Sequence, residues 1–297
     1  MILISGVSGA LGGSIFDSLA SRSGTPVRAG SRSGDGTAVR RVDFDTPSTL
    51  ASAFRGVDVL VFVSAGPAAH DVAVARHGAV VEAAAAAGVR HVVYTSVTGS
   101  GDRLPGTSAH RWTEARLAAV PFSTTVLRNG PYAETAAALA AAGTRAAART
   151  GVFTAALGHG PLPLVARRDL ADVAARVAAE SAADLAAGRR SRHAGATYDL
   201  AGVPAIGGDD IAGVLAWVLG RPVRYRAAPA ARTAPSPAPG TVSWRMRPRR
   251  AGQAVQGRAG RDLIALLPTT PRPALDIVER AVTAVAGARC QDPASHH

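Results

Sequence analysis

Short apolar runs alternate with amphipathic stretches through the first 130 of the chain's 297 residues. The runs at 2–5, 26–30, 39–42, 57–64, 90–96 and 124–128 are rich in strand-forming residues and too short for helices. Between them, 10–21, 48–54, 69–87 and 109–119 repeat apolar positions at helical spacing. This alternation predicts an α/β fold, a doubly wound parallel sheet with helices on both faces. Right-handed crossovers in such a sheet put ligands at the carboxyl ends of the strands. Beyond Asn129 the pattern loosens. Helices are expected over 132–149, 168–180, 208–219, 261–267 and 273–285, a strand over 197–200 and an extended segment over 222–225. The stretch 227–257 is rich in Pro, Ala, Gly and Arg without a period and reads as a long loop, a lid or a disordered insert.

The first strand is followed at once by Gly6-Val7-Ser8-Gly9-Ala10-Leu11-Gly12 and then by a helix. Gly6 permits a tight turn, Gly9 lets the backbone approach a diphosphate, and Gly12 lets helix and strand pack closely. The helix start offers unpaired N–H groups and a positive dipole end to an anion. A glycine triplet alone is weak evidence, but strand, turn and helix here supply the context that the motif needs. The expected organisation is a Rossmann-type dinucleotide-binding core over 1–130 and a smaller C-terminal substrate region over 131–297, interleaved with the core around one cleft.

The second strand separates the two nicotinamide cofactors. An NAD site usually ends that strand with Asp or Glu, which holds the ribose 2′-hydroxyl. Here the strand runs Val27-Arg28-Ala29-Gly30-Ser31-Arg32, with no carboxylate at its end and with Asp35 nearby. The guanidinium fork of Arg32 suits a 2′-phosphate, so the expected cofactor is NADPH.

Composition adds two facts. Net charge is +12, and every basic residue is arginine, a bias typical of a GC-rich genome. No Asp or Glu occurs between Ile211 and Arg261, where ten arginines fall. Only Trp217, Tyr225 and Trp244 there suit base stacking, so a solvated loop or an anionic small-molecule partner is expected rather than nucleic acid. A single cysteine, Cys290, excludes an intramolecular disulfide. The eight histidines are scattered, so no metal site is expected. No apolar run reaches membrane-spanning length, and the opening apolar residues lack a basic leader, so a soluble, cytoplasmic protein is expected.

These residues resemble the NmrA-like group of atypical short-chain dehydrogenase/reductases, especially its quinone-oxidoreductase-like branch. The likeness is carried by Gly6-x-x-Gly9-x-x-Gly12, Arg32, Val42-Asp43-Phe44-Asp45, Ala87-Gly88-Val89, Tyr94-Thr95-Ser96 and Leu127-Arg128-Asn129-Gly130-Pro131-Tyr132. Gly151-Val152-Phe153, Arg167-Arg168-Asp169-Leu170-Ala171 and Tyr198-Asp199-Leu200-Ala201-Gly202 continue it, and it fades in the last quarter of the chain. The resemblance implies that Asp43 and Phe44 flank the adenine and that Ser64 and Ala65 line the ribose. Tyr94, Thr95 and Ser96, with Asn129, Pro131 and Tyr132, would then surround the nicotinamide end. Core packing is the alternative for Tyr94, and a helix-start aromatic for Tyr132.

The wider superfamily uses a Tyr-x-x-x-Lys pair to protonate the new alkoxide. This chain contains no lysine. Near the expected position it reads His110-Arg111-Trp112-Thr113-Glu114-Ala115, with His110 about where the tyrosine would be. Arginine stays protonated and cannot replace a titrating lysine. Ser96 and His110 are therefore the candidate catalytic pair, with Glu114 four residues on to tune the imidazole. The alternatives are a substrate hydroxyl that donates internally, or a quinone whose reduced oxygen tolerates slow protonation. Three functions follow: an NADPH-dependent ketoreductase acting on a polycyclic aromatic natural product, of the antibiotic-tailoring kind; an NADPH-dependent quinone reductase; or a non-catalytic NADP-sensing regulator with a protein partner.

Overall fold

A computed structural model describes residues 1–21, 24, 26–66, 68–99, 107–228 and 259–287. The chain forms β1 (Ile2–Ile4), α1 (Ala10–Ala20), β2 (Val27–Ser31), β3 (Val39–Arg41), α2 (Ser48–Ala53), β4 (Val59–Val63), α3 (His70–Ala86), β5 (His91–Val97), α4 (Thr107–Ala118) and β6 (Ser123–Asn129). It continues through α5 (Ala133–Thr150), β7 (Val152–Ala155), α6 (Arg167–Ala186), β8 (Thr197–Leu200), α7 (Gly208–Leu219), β9 (Arg224–Ala227), α8 (Ala259–Leu266) and α9 (Ala274–Gly287). Seven strands make one parallel sheet in the order β3-β2-β1-β4-β5-β6-β8. This is the doubly wound α/β sheet that the alternation predicts. Its order reverses on either side of β1, where Ile4 is paired with both Ala29 and Val61.

The chain divides into two compact units. The first takes Met1–Asn129, Arg168–Leu200 and Arg258–Thr270; the second takes Gly130–Arg167, Ala201–Gly257 and Pro271–His297. In the first unit the apolar run of β4 is buried along almost its whole length, as befits a central parallel strand covered on both faces. Leu3, Leu60, Phe62, Val92, Tyr94 and Leu117 lie in one core cluster. The helix of Gly12 lies so close to β1 that a Cβ there would overlap the Gly6 carbonyl oxygen. The second unit gathers α5, α7 and α9 with the parallel pair β7–β9 around Phe153. Gly143 leaves room for that ring, since a Cβ would lie 2.9 Å from it.

Differences from the sequence expectation have simple causes. The strand β7 is four residues long and pairs only with β9, so its pattern is too brief to stand out. The extended segment expected at 222–225 becomes Arg224–Ala227. Helix α6 runs six residues past the expected 180 because Ala182 and Leu185 keep its buried stripe going. Most of the expected loop at 227–257 lies outside the described residues, as do Cys290, His296 and His297. Among the described residues no helix is long and apolar enough to cross a membrane.

His91 is buried at the start of β5. Thr125 donates its hydroxyl proton to the His193 carbonyl at 2.8 Å, so it accepts from His91 Nε2 at 3.0 Å. The Ser123 hydroxyl lies 2.7 Å from Nδ1 and also within reach of the Arg90 carbonyl at 3.2 Å. Burial lowers the His91 pKa from 6.5 to about 4, with the charges of His193 and Arg190 adding to it.

Two outcomes are expected. The unfolded chain binds the His91 proton between about pH 6.5 and 4 while the folded chain does not, so this contribution is complete above 6.5 and is lost on acidification through that window. The urea midpoint should fall from pH 7 to pH 4.5, and His91→Gln should flatten the fall. Gly12→Ala should lower stability by about 1–3 kcal/mol in urea titration, because overlap with the Gly6 carbonyl outweighs the ~1 kcal/mol helix-propensity gain.

Candidate active site

The turn after β1 is built from backbone. Gly6 holds φ +68°, where a side chain would be strained. Val7 N–H donates to the Gly30 carbonyl at 3.1 Å and Gly9 N–H to Gly6 at 2.9 Å. Ser5 ties the turn to β4, accepting the Val63 N–H at 3.0 Å. The capping residue Gly9 supplies no side-chain bond to α1, and Gly13 N–H to Gly9 O at 2.8 Å is the bond that opens the helix. The N–H groups of Ala10, Leu11 and Gly12 precede it, and Ser8, Gly9 and Ala10 are exposed. The result is an open cradle of amide donors at a helix N-terminus, a fit for a diphosphate.

Arg32 is exposed immediately after β2. The nearby Asp35 is turned back on its own loop, accepting from Thr37 N–H at 2.9 Å and Val39 N–H at 3.1 Å; these bonds hold its pKa below the ordinary value. Asp43 is buried after β3 and holds the next turn, accepting from Asp45 N–H at 3.1 Å and the Thr46 hydroxyl at 3.1 Å. The half-buried Phe44 packs edge-on against Phe62. Arg76 from α3 grips Asp45 through two 2.7 Å bonds.

At the end of β4, Ser64 N–H donates to Thr95 Oγ1 at 3.0 Å. Ala65 N–H donates to Nε2 of His77 at 3.1 Å. That bond requires an unprotonated Nε2, so His77 is neutral with its proton on Nδ1. Nδ1 then donates to Thr113 Oγ1 at 2.8 Å, and Thr113 donates to the Ala109 carbonyl. Burial lowers the His77 pKa to about 4, with His110 and Arg76 adding to the shift. Asn129, at the end of β6, is 5% exposed, and its Oδ1 is a buried acceptor with no hydrogen-bond partner among the described residues. An orphaned acceptor of this kind needs a donor, and a carboxamide N–H is one. Pro131 and Tyr132 belong to the second unit, where the Arg167 guanidinium lies 5.2 Å from the Tyr132 ring centre.

Tyr94 and Ser96 point to the same face of β5 and meet α4. The Tyr94 ring is fully enclosed, packed 5.0 Å from Phe62, and its hydroxyl lies 2.8 Å from Nδ1 of His110. Burial raises the Tyr94 pKa. Burial, with Arg111 adding and Glu114 opposing, lowers that of His110 to about 4. The imidazole is therefore neutral at pH 7, below the titration range of an ordinary histidine. Ser96 donates its hydroxyl proton to Glu114 at 2.5 Å. Glu114 is also held by Arg111 and, at 2.7 Å, by Arg128. Burial would raise its pKa, but Arg128, Ser96 and Arg111 together hold it below the ordinary value. Arg111 continues to the carbonyls of Val97 at 2.7 Å and Gly99 at 2.8 Å.

The first unit thus brings Gly6 to Gly12, Arg32, Asp43, Phe44, Ser64, Ala65, Thr95, Ser96 and Asn129 to the carboxyl edge of its strands. Sequence reasoning missed His77, Thr113, Arg111 and Arg128. His77 did leave a signal: a polar side chain three, four and seven residues before Val80, Val81 and Ala84 on the buried stripe of α3. Among the described residues no three His, Cys, Asp or Glu side chains come together to hold a metal.

Residues 6–181 match the family model described as NAD(P)H-binding. The chain is 32% identical over 236 residues to quinone oxidoreductase 2 of Escherichia coli, covering 76% of this chain and 77% of that one. It is 32% identical over 248 residues to the (4-alkanoyl-5-oxo-2,5-dihydrofuran-3-yl)methyl phosphate reductase of Streptomyces griseus, covering 79% and 80%. A crystal structure of the NADPH-dependent quinone oxidoreductase of Escherichia coli complexed with NADPH superposes with a TM-score of 0.66 at 27% identity, covering 97% of this chain and 90% of that one. The chain accordingly belongs to the NAD(P)H-binding, NmrA-like family of atypical short-chain dehydrogenase/reductases and is an NAD(P)H-dependent oxidoreductase.

Proposed function

We propose that the protein passes hydride from NADPH to a carbonyl of a polycyclic aromatic natural product, as a ketoreductase that works without a Tyr-Lys pair. The observation that carries this reading is the acid side of the site. The chain has no lysine, and burial keeps His110 neutral at working pH. Such a site suits acceptors that help with their own protonation: an aromatic ketone with a neighbouring hydroxyl that can donate internally, or a quinone. The cofactor supplies the hydride. The cradle from Gly6 to Gly12 holds its diphosphate, and Arg32 takes the 2′-phosphate, with Asp35 committed to its own turn. Asp43 and Phe44 flank the adenine, and Ser64 and Ala65 the ribose. Thr95, Asn129, Pro131 and Tyr132 surround the nicotinamide end, where Asn129 Oδ1 accepts from the carboxamide. Ser96 and Tyr94 act from behind, through Glu114 and His110.

The region 131–297 recognises the substrate in this proposal, and its arginines suit an anionic one. A relative whose name specifies a methyl phosphate supports that charge. The setting is cytoplasmic.

A quinone reductase is the second reading, favoured by the identity to quinone oxidoreductase 2. A quinol oxygen, with a pKa of about 10, also tolerates late protonation.

NADPH oxidation should be followed with simple quinones and with hydroxy-anthraquinone-type ketones, and the products identified. Carbinol formation from the ketones is expected; fast quinone turnover without carbinol would leave only the second reading. Arg32→Ala should raise the KM for NADPH by roughly 10–100-fold, the worth of one charge-assisted hydrogen-bond pair, and change that for NADH far less. Equal effects on both cofactors would remove Arg32 from the 2′-phosphate.

A further inference from the structure

We propose that Tyr94 and His110 form a two-step proton relay, in which the buried Tyr94 hydroxyl fixes the His110 tautomer and presents Nε2–H to the acceptor's oxygen. The proposal rests on the reductase reading and adds the proton donor that it lacks.

The geometry carries it. Tyr94 O and His110 Nδ1 are 2.8 Å apart, and one of the two must donate. If the hydroxyl donates, Nδ1 is the acceptor and the single proton of a neutral imidazole lies on Nε2. The tyrosine has the better reason to donate. Its ring is enclosed between Phe62, His77 and His110, and its hydroxyl lies 2.8 Å from His110 Nδ1 with Thr113 as its other hydrogen-bonding neighbour, whose own proton goes to the Ala109 carbonyl. His110 itself is half-buried, and among the described residues no hydrogen-bond partner faces its Nε2. One ring nitrogen is therefore held from within, and the other is the one we assign to the acceptor's oxygen.

The groups around the ring favour this neutral state. From α4 itself come Arg111, whose cation opposes protonation, and Glu114, whose charge is shared among Arg111, Arg128 and Ser96. From α3 comes His77, 6.0 Å between ring centres. The Ala65 N–H requires that ring to be neutral as well. From β5 comes Tyr94.

The step balances as follows. Hydride from NADPH brings two electrons to the carbonyl carbon, and the C=O π pair moves to oxygen. That oxygen takes the Nε2 proton while Nδ1 takes the proton of Tyr94. The tyrosinate recovers its proton from water through the imidazole. An alkoxide is basic enough to draw both protons. A quinol oxygen, nearer a phenol in basicity, needs only the hydrogen bond.

Two measurements test the relay. Nitrogen-15 NMR of the free protein at pH 7 should show His110 neutral with its proton on Nε2, and Tyr94→Phe should shift the ring toward a mixture of tautomers. A proton on Nδ1 in the unaltered protein would overturn the proposal, whatever the enzyme reduces. In steady-state assays, Tyr94→Phe should lower the ratio of ketone to quinone turnover by about 10–100-fold, within the range for a positioned acid. The kcat for ketone in the unaltered protein should stay level from pH 5.5 to 8 rather than fall above 6.5 as an imidazolium donor would. An unchanged ratio, or a fall above 6.5, rejects the relay. If no acceptor oxidises NADPH, the reductase reading fails and the NMR result still decides the tautomer.

Discussion

Everything at the nucleotide end of the first unit depends on one approach: the start of α1 set against the carbonyl of Gly6. Gly6 turns the chain through a backbone conformation closed to most side chains, and Gly12 leaves no Cβ between helix and turn. The first amides of α1 therefore stay near the carboxyl ends of β1 and β4, at the point where the strand order reverses. A larger residue would move the helix, and with it every donor that a diphosphate would meet.

The other half of the site is held together differently. The buried face of α4 comprises Thr107, Ala109, Thr113 and Leu117, of which only Leu117 is a large apolar side chain. Hydrogen bonds supply what apolar area does not. His110 meets Tyr94, Glu114 meets Ser96 and Arg128, and Arg111 reaches the carbonyls of Val97 and Gly99. Each bond joins α4 to β5, β6 or the chain just beyond. A buried ion pair brings little net stability against an apolar equivalent, but breaking one side of it is costly. The network therefore fixes where α4 lies more than it strengthens the fold.

This contrast explains what the sequence disclosed. The sheet was legible because β1 and β4 at its centre are continuous apolar runs, helical patterns alternate with the strands, and the glycines sit at fixed offsets from β1. The cradle was legible for the same reason. Arg32 could be proposed for the 2′-phosphate because no carboxylate ends β2 itself, although Asp35 follows three residues later. The partners within the α4 network could not be named. Arg128 and Glu114 are 14 positions apart, and only the pairing of β6 with β5 and the packing of α4 bring them together. His110 was found by position, but the burial that lowers its pKa is invisible in one dimension. The short strand β7 escaped because four residues carry too little period.

The connectivity of the large sheet has a consequence for biosynthesis. β6 finds its outer neighbour, β8, only after the intervening Gly130–Arg167 has been made, since Asn129 pairs with Leu200. A nascent chain emerging from the ribosome thus displays β6 as a bare edge for some seventy residues of elongation, several seconds at about 5–20 residues per second. Unpaired edges invite intermolecular pairing. Ser123, Thr124, Thr125 and Arg128 make this strand more polar than β4, whose residues are all apolar.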